Sequence, residues 1–194
     1  MISINYKQYR IQIFNDETYS SNSVDNLNKY DYEYTSEFSK YYNYYSKHGV
    51  RIFQNDIIIK SAILCCCDGG STVVHNNSAI LNNDSLIVCV GSYLYNLNVP
   101  SLKLNWLLKA DSATCFEVFY KNDMYIVHGE LEISQVTKDG NIVWQFSGKD
   151  IFTTQTGIND FIIKDKYIVA KDWEYNVYHI DFNGKGFIVD NTII

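Results

Sequence analysis

The sequence predicts an all-β fold of about three to four four-stranded antiparallel sheets, and an internal repeat is the main reason. Residues 84–91 (DSLIVCVG) are echoed by residues 122–129 (NDMYIVHG), and a shorter third copy occupies residues 165–170. The step from Trp106 to Trp144 is 38 residues, which equals the offset between the first two copies. A period near 40 with four short strands in each copy is typical of propeller blades. The expected architecture is therefore propeller-like.

The N-terminal quarter of the chain is less regular than the repeats. Alternating apolar residues predict one or two strands within residues 1–14. A Tyr-rich N-terminal segment follows over residues 15–48, and it opens with a polar, turn-like stretch. Tyr alternates with acids over residues 30–34, which predicts a strand, whereas the aromatic spacing over residues 38–45 predicts a short amphipathic helix. We expect this irregular segment to form an edge, a cap or a lid.

From residue 50 the sequence predicts short strands joined by tight turns. Residues 50–54 and 57–67 flank the dipeptide Asn-Asp, which is a two-residue hairpin signal. Two further strands are predicted over residues 72–75 and 78–81, with two asparagines between them. These strands would form a sheet that precedes the repeats.

Each repeat has the order strand, Gly, strand, turn, Trp-bearing strand, loop, strand. The copies span about residues 84–121, 122–163 and 164–190. Pro100 marks the turn of the first copy, where no ladder donor is needed. No linker rich in Pro, Gly or Ser divides the chain, so we expect a single all-β domain over residues 1–194.

Three blades and one irregular sheet are few for a closed ring, since closed propellers typically have at least four blades. Either the N-terminal half supplies the fourth sheet, or the sheets form an open stack, which is an incomplete ring. An open stack leaves an exposed edge that needs a cover or a partner strand. The Tyr-rich N-terminal segment is a candidate for that cover.

Composition and charge narrow the range of partners and compartments. The net charge of −6 and the absence of a Lys/Arg block argue against nucleic-acid binding and suit a protein partner. No apolar run approaches a membrane span, and the N-terminus lacks the apolar core of a signal peptide. We therefore expect a cytoplasmic protein whose five cysteines are thiols. No sequence motif indicates a cofactor.

The stretch HGELEI, residues 128–133, carries the most suggestive polar side chains. If the chain is extended there, His128, Glu130 and Glu132 share one face of a strand. One histidine and two carboxylates suit a metal site or an acid–base pair. The alternative is an ordinary strand with its polar face in solvent. The third copy has acids near this offset but no histidine, which favours the ordinary strand.

A second candidate site lies in the loop and strand over residues 111–117, which contain Asp, Ser, Thr, Cys and Glu. Cys115 could act as a nucleophile if His128 were adjacent as its base, with Asp111 as a further polar group. No nucleophile-elbow motif supports this hypothesis. The alternative is a corner between strands, where Asp111 satisfies backbone donors. Cys65, Cys66 and Cys67 lack zinc spacing and are expected to pack as small apolar residues.

Three residues are candidates for ligand or partner binding. Trp106 and Trp144 recur at the repeat period and are expected in the core, whereas Trp173 breaks the pattern. Trp173 and Tyr175 are therefore the aromatic residues expected at a binding surface. Glu132 is a further binding candidate on the polar face of its strand.

The order of hydrophobic strand, Gly, second strand, Asp-Gly or Asn-Gly turn and Trp resembles the PQQ and WD types of propeller repeat. Residues 110–116, 128–133 and 144–152 also resemble a group of small uncharacterised bacterial proteins. This second resemblance covers about residues 80–185 and implies no catalytic residues.

These observations lead to one main hypothesis and two alternatives. The main hypothesis is a non-enzymatic protein-interaction module of a bacterium, with an immunity-type inhibitor of a toxin as one form of it. The first alternative is a metal-dependent or hydrolytic enzyme built on His128, Glu130, Glu132 and the loop 111–117. The second is a carbohydrate-binding module that uses exposed Tyr and Trp.

Overall fold

The computed structural model of the protein describes residues 1–36 and 44–189, and it is all-β. Seventeen strands form one five-stranded and three four-stranded sheets. This confirms the predicted fold class. The amphipathic helix predicted over residues 38–45 falls mostly outside the described residues. None of the described segments is a helix long and apolar enough to cross a membrane.

The first sheet comes from the N-terminal part of the chain. Its strands are β1 (Ile2–Tyr6), β2 (Tyr9–Asn15), β3 (Tyr32–Thr35), β4 (Ser46–Gln54) and β5 (Ile57–Cys66). The spatial order is β1-β2-β4-β5-β3, and β3 runs parallel to β5 while the other neighbours are antiparallel. The N-terminal part therefore supplies the fourth sheet that the repeats alone lack.

The other three sheets have their strands in chain order, and every neighbouring pair is antiparallel. The second sheet contains β6 (Ala79–Asn82), β7 (Ser85–Val90), β8 (Tyr93–Asn98) and β9 (Leu104–Lys109). The third contains β10 (Cys115–Lys121), β11 (Met124–Gly129), β12 (Glu132–Val136) and β13 (Ile142–Ser147). The fourth contains β14 (Phe161–Ile163), β15 (Tyr167–Lys171), β16 (Val177–Asp181) and β17 (Gly186–Val189).

The sequence repeats and the sheets are out of phase by one strand. The copy at 84–121 holds β7 to β10, and β10 belongs to the third sheet. The copy at 122–163 likewise ends in β14, which belongs to the fourth sheet. Each of these repeats therefore completes one sheet and begins the next, so that a covalent connection ties neighbouring sheets together.

One predicted strand, over residues 72–75, does not form, and that prediction was wrong. The backbone N–H groups of this segment donate to side chains instead of to a neighbouring strand. Thr72 N donates to Ser46 Oγ at 2.8 Å, and Val74 N donates to Asn15 Oδ1 at 2.8 Å. Because side chains satisfy these donors, the segment needs no ladder partner.

Three apolar clusters hold the sheets in a series. One cluster joins the first and second sheets, a second joins the second and third, and another joins the third and fourth. Among residues 1–36 and 44–189, none of the buried clusters joins the fourth sheet to the first. The described chain is an open series of four sheets.

An aromatic side chain from each of the first three sheets also docks on a turn of the next sheet. Tyr34 Oη donates to the Leu102 carbonyl at 3.0 Å. Trp106 Nε1 donates to the Lys138 carbonyl at 2.9 Å, and Trp144 Nε1 donates to the Phe182 carbonyl at 3.2 Å. The two tryptophans are partly buried and pack against the apolar clusters between the sheets, in line with their recurrence at the repeat period.

Both tryptophan contacts depend on a glycine in the receiving turn. Gly140 and Gly184 have φ of +80° and +82°. A Cβ atom at Gly140 would lie 2.6 Å from a ring carbon of Trp106, and one at Gly184 would lie 2.6 Å from Trp144. Glycine is required twice over, because the turn is left-handed and because the indole lies directly against it.

Replacing this glycine should separate the two requirements. Gly140→Ala should lower the free energy of unfolding by about 2–4 kcal/mol, since it adds a steric clash to the backbone strain. Gly157→Ala is the matched control, because Gly157 has φ of +63° but nothing within 4 Å of its added Cβ. The control should lose only about 1–2 kcal/mol. Urea denaturation measures both, and equal losses would contradict the docking role of Trp106.

Candidate functional site

A polar cleft of about 370 Å³ lies where the second, third and fourth sheets approach one another. Its walls include His75 from the loop before β6, Glu117 and His128 from β10 and β11, and Asp160 just before β14. The cleft thus gathers titratable side chains from three parts of the chain. It contains the part of the predicted site that the fold brings together.

His128 is the central side chain of this cleft and is only 5% exposed. Its Nδ1 lies 2.8 Å from Glu117 Oε2, and its Nε2 lies 2.7 Å from the Phe152 carbonyl. Both partners are acceptors, so both bonds form only when the ring carries a proton on each nitrogen. The ring also stacks on Phe161, with centroids 4.5 Å apart and planes 9° apart.

Each of the two carboxylates that line the cleft with His128 accepts hydrogen bonds from protein donors. Burial opposes ionisation of Glu117, but hydrogen bonds from His128 and Asn77 outweigh it and lower the pKa of Glu117. Asp160 accepts from the Thr154 hydroxyl at 2.6 Å and from Thr154 N at 3.0 Å. These bonds likewise outweigh burial, and the pKa of Asp160 lies below its usual range. Neither carboxylate keeps the free, proton-carrying state that a general acid requires.

The expected alignment of His128, Glu130 and Glu132 on one strand face was wrong. β11 ends at Gly129 and β12 begins at Glu132, so the chain reverses direction between the histidine and the second glutamate. Glu130 lies in this turn, where its backbone N donates to the Thr114 carbonyl at 2.7 Å. A hairpin turn cannot present alternate residues on a common face, since that pattern needs an extended chain.

Asp111 and Glu132 meet in a backbone-binding corner beside this turn. Asp111 accepts four backbone N–H bonds. Two come from Ala113 and Thr114 in its own loop, and two come from Leu131 and Glu132 at the turn between β11 and β12. Burial raises the pKa of Asp111 to about 6, while the backbone donors oppose that shift. Asp111 therefore fixes the connection between the second and third sheets to the β11–β12 turn, which is the corner role that the sequence offered as the alternative.

Glu132 is occupied in the same corner. Its Oε2 accepts from Ser112 N at 3.0 Å, and its Oε1 accepts from the Ser112 hydroxyl at 3.2 Å. The predicted binding role of Glu132 would have to break these contacts. In the part of the chain that is described, no three His, Cys, Asp or Glu side chains converge as metal ligands would.

Cys115 lies in the apolar core between the second and third sheets and is fully buried. Burial raises the pKa of the Cys115 thiol well above its ordinary value. The two ring nitrogens of His128 are bonded to Glu117 and Phe152, so the proposed base is not directed at this thiol. The thiol has the environment of a packing residue and not of a nucleophile.

Trp173 and Tyr175 lie in the turn between β15 and β16, where they are 42% and 44% exposed. Among the described residues no ring contact joins the two, so they do not form a paired stacking platform. Their side chains reach solvent at one end of the fourth sheet. They remain the exposed aromatic residues that the sequence marks for a binding surface.

Two features were not indicated by any sequence motif. Asp160 and His75 enter the cleft from loops whose sequences resemble ordinary turns. His48 on β4 is 1% exposed, and its Nδ1 has no hydrogen-bond partner among residues 1–36 and 44–189, while Nε2 lies 3.1 Å from Thr72 Oγ1. Burial lowers the pKa of His48 to about 4. Only the folded arrangement of the first sheet reveals this buried imidazole.

No known protein family matches the chain, and no curated protein matches it either. Solved structures with a similar fold include BamB from Moraxella catarrhalis, at 15% identity and a TM-score of 0.47 over 72% of this chain and 42% of that one. The AfRom2 CNH domain matches at 13% identity and a TM-score of 0.46, over 74% of this chain and 47% of that one. The Pan2 WD40 domain of Neurospora crassa matches at 13% identity and a TM-score of 0.45, over 59% of this chain and 36% of that one. The chain spans less than half of each of these three.

The buried thiols give a direct test of the nucleophile hypothesis. In the native protein a disulfide reagent such as DTNB should modify Cys67, which is partly exposed, before the buried Cys65, Cys89 and Cys115. Cys115 should react only as fast as the protein unfolds. Mass spectrometry of the first modified species checks this, and Cys67→Ser is the control that should remove the fast phase. Early modification at Cys115 would contradict its buried position.

His48 should make the protein sensitive to mild acid. The folded state resists protonation of His48 down to about pH 4, whereas the unfolded chain takes the proton near pH 6.5. Above pH 6.5 His48 therefore does not reduce the free energy of unfolding. As the pH drops toward 4, His48 lowers the free energy of unfolding by up to about 3 kcal/mol. Asp111 acts in the opposite sense below pH 6, but it is common to all variants compared.

The measurement is urea denaturation of wild type and His48→Gln between pH 7 and 4.5. The variant should lose less stability over this window than the wild type does. His179→Gln, which replaces a partly exposed histidine on β16, should behave as wild type. Parallel curves for wild type and His48→Gln would contradict the burial argument.

Proposed function

We propose that the protein is a non-enzymatic protein-interaction module that binds its partner through the outer face of the fourth sheet. We define this open face by Tyr167, Val169, Val177, His179 and Phe187. The observation that carries the proposal is that the two ends of the sheet series differ. Within residues 1–36 and 44–189, the first sheet is covered on its outer side, whereas none of these residues covers the outer side of the fourth sheet.

The open face follows from strand alternation. Ile168, Ala170, Tyr178 and Ile180 are buried against the third sheet, so the residues between them point away from it. On this outer side Tyr167, His179 and Phe187 form an aromatic row across β15, β16 and β17, with ring centroids 4.5 and 5.9 Å apart. Phe187 is 64% exposed. An apolar row of this kind on a sheet face is typical of a binding surface.

The opposite end of the series shows what a covered face looks like. Ile63 and Cys65 on the outer side of β5 are buried beneath Tyr19, Tyr30 and Tyr44. This cover is fixed by polar bonds, among them Tyr30 Oη to Asp16 Oδ2 at 2.6 Å. The Tyr-rich N-terminal segment therefore acts as a cap, as sheet arrays require at their ends.

The internal interfaces indicate the kind of partner. All three are packed sheet faces, and in each an aromatic ring docks on a turn of the next sheet. Phe187 lies opposite His179, as Trp144 lies opposite Gln135 and Trp106 opposite Asn96. The open face thus continues the same interface, and the partner it fits is a protein that presents an apolar sheet face with an open turn. The net charge of −6 favours a basic partner.

Two finer proposals rest on this surface. The first is that the protein is an immunity-type inhibitor in the cytoplasm of a bacterium, with a basic toxin as its partner. The second is that Trp173 and Tyr175, which lie in the turn at one end of the same sheet, add aromatic contacts at the rim. The contacts of the cleft residues support a structural role, and the enzyme alternative gains no observation from them.

The test is a substitution on the open face with a matched control. Phe187→Ser should leave the thermal midpoint nearly unchanged, because this side chain is 64% exposed, and should weaken partner binding at least tenfold. Val73→Ser is the control, since Val73 is 58% exposed in the loop before β6 and lies off the open face. A partner isolated from the native host is purified, and its affinity for all three proteins is measured by calorimetry.

Two outcomes would overturn the proposal. One is a partner that binds Phe187→Ser as tightly as it binds wild type. The other is a wild-type dimer in light scattering that Phe187→Ser dissociates, since a second copy would then occupy the face. A 1:1 heterocomplex retained by Val73→Ser and lost by Phe187→Ser would support it.

A further inference from the structure

A groove of about 580 Å³ lies between the second and third sheets, at the opposite end from the His128 cleft. This volume is within the range of small-molecule sites. Its walls carry the amides of Asn82, Asn96, Asn98 and Asn105, together with the rings of Trp106 and Tyr125. The groove is separate from the open face, so its argument does not depend on the proposed function.

The groove exists because the space between these sheets changes character along its length. Ile87, Cys89 and Leu94 fill the middle with apolar atoms. Two residues further along each strand the same face carries Ser85 and Asn96, and Asn98 lies opposite Ser85. Amides do not pack as a dry core, because each buried polar atom needs a hydrogen-bond partner. The sheets therefore leave a polar recess at this end.

The side-chain amide of Asn96 offers hydrogen-bond donors to a ligand in the recess. The residue is only 2% exposed. Its Oδ1 accepts from the Ser85 hydroxyl at 2.8 Å and from Asn105 Nδ2 at 3.0 Å, which fixes the orientation of the amide. Its Nδ2 has no acceptor anywhere in the described chain, and Asn96 lines the groove. This nitrogen is not one of the buried unpaired polar atoms of the described chain, so solvent in the groove reaches it, and its two N–H donors are available to a ligand that displaces that solvent.

The charges around the groove favour an uncharged ligand. Asp84 is paired with Lys7 at 2.9 Å, and Lys138 is paired with Asp123 at 2.9 Å. Asp139 is the remaining charged residue of the lining, and its carboxylate can accept bonds from hydroxyl groups. Amide donors, amide acceptors and aromatic walls together suit a ligand with many hydroxyl groups and apolar C–H faces.

We propose that this groove binds a neutral oligosaccharide. The Asn96 amide donates to a sugar oxygen, the neighbouring asparagines bond to further hydroxyls, and the partly buried Trp106 contacts the C–H face of a ring, while Tyr125 is buried behind it. One face of the Trp106 indole is covered by Gly140, so the sugar meets the remaining side of the indole. The site lies at the rim of the docking contact between two sheets.

The experiment is calorimetric titration with three neutral hexasaccharides, of β-1,4-linked glucose, β-1,4-linked N-acetylglucosamine and α-1,6-linked mannose. At least one should bind saturably at millimolar concentration or below. Asn96→Asp keeps the shape of the side chain and its acceptor oxygen but removes both N–H donors, so binding should weaken about tenfold. Circular dichroism and the thermal midpoint establish that the variant is folded.

Asn105→Trp provides a second variant that does not alter a buried position. Asn105 is exposed on β9, so a large side chain there obstructs the groove and keeps the apolar core, while it also removes the bond from Asn105 Nδ2 to Asn96 Oδ1; binding should be lost. Asn141→Ala, an exposed asparagine next to the groove but outside its lining, should bind as wild type. No saturable binding of any of the three sugars, or equal binding by wild type and Asn105→Trp, would overturn the proposal.

Discussion

The whole series depends on aromatic rings that dock against the backbone of a neighbouring turn. Trp106 and Trp144 each lie on a glycine with a positive φ and donate one hydrogen bond to a carbonyl of the same turn. A ring in contact with bare backbone fixes the distance and the angle between two sheets, because neither side can adjust. The apolar clusters between the sheets can pack densely only once this spacing is set, and the same spacing leaves a recess where the clusters end.

The fold was largely predictable because its main signal is periodic. Equal offsets between Trp106 and Trp144 and between the hydrophobic strands identify a repeated sheet without any structural knowledge. The irregular parts of the chain, which lie before the repeats, were less predictable. β3 pairs in parallel with β5, and parallel pairing between distant segments leaves no local pattern. Residues 72–75 contain three β-branched residues, which favour a strand, but the side chains of Ser46 and Asn15 accept hydrogen bonds from their backbone N–H groups, and such long-range competition is invisible in a sequence.

The candidate site was less predictable, because the chemistry of a side chain depends on partners far away in the chain. The sequence draws attention to His128, but one of the two acceptors of its ring is a carbonyl 24 residues further on, which no local pattern indicates. Asp111 and Glu132 look like catalytic carboxylates until their backbone donors are counted. Asn96 is one asparagine in an asparagine-rich chain, and it stands out only because its oxygen is held twice while its nitrogen is free. Satisfied polar groups stabilise structure, and unsatisfied ones indicate where a ligand belongs.

The one-strand offset between repeats and sheets has a consequence for how such a chain can change in length. Each repeat holds the last three strands of one sheet and the first strand of the next sheet. When another copy of the repeat is inserted in tandem after it, every sheet therefore still has four strands. The inserted copy closes the sheet begun before it and opens the next, and its own tryptophan and glycine meet the same two neighbours as before. A tandem duplication of this segment in the gene would therefore lengthen the array by one whole sheet in a single event. The cap at the start and the aromatic row at the end would both be inherited unaltered.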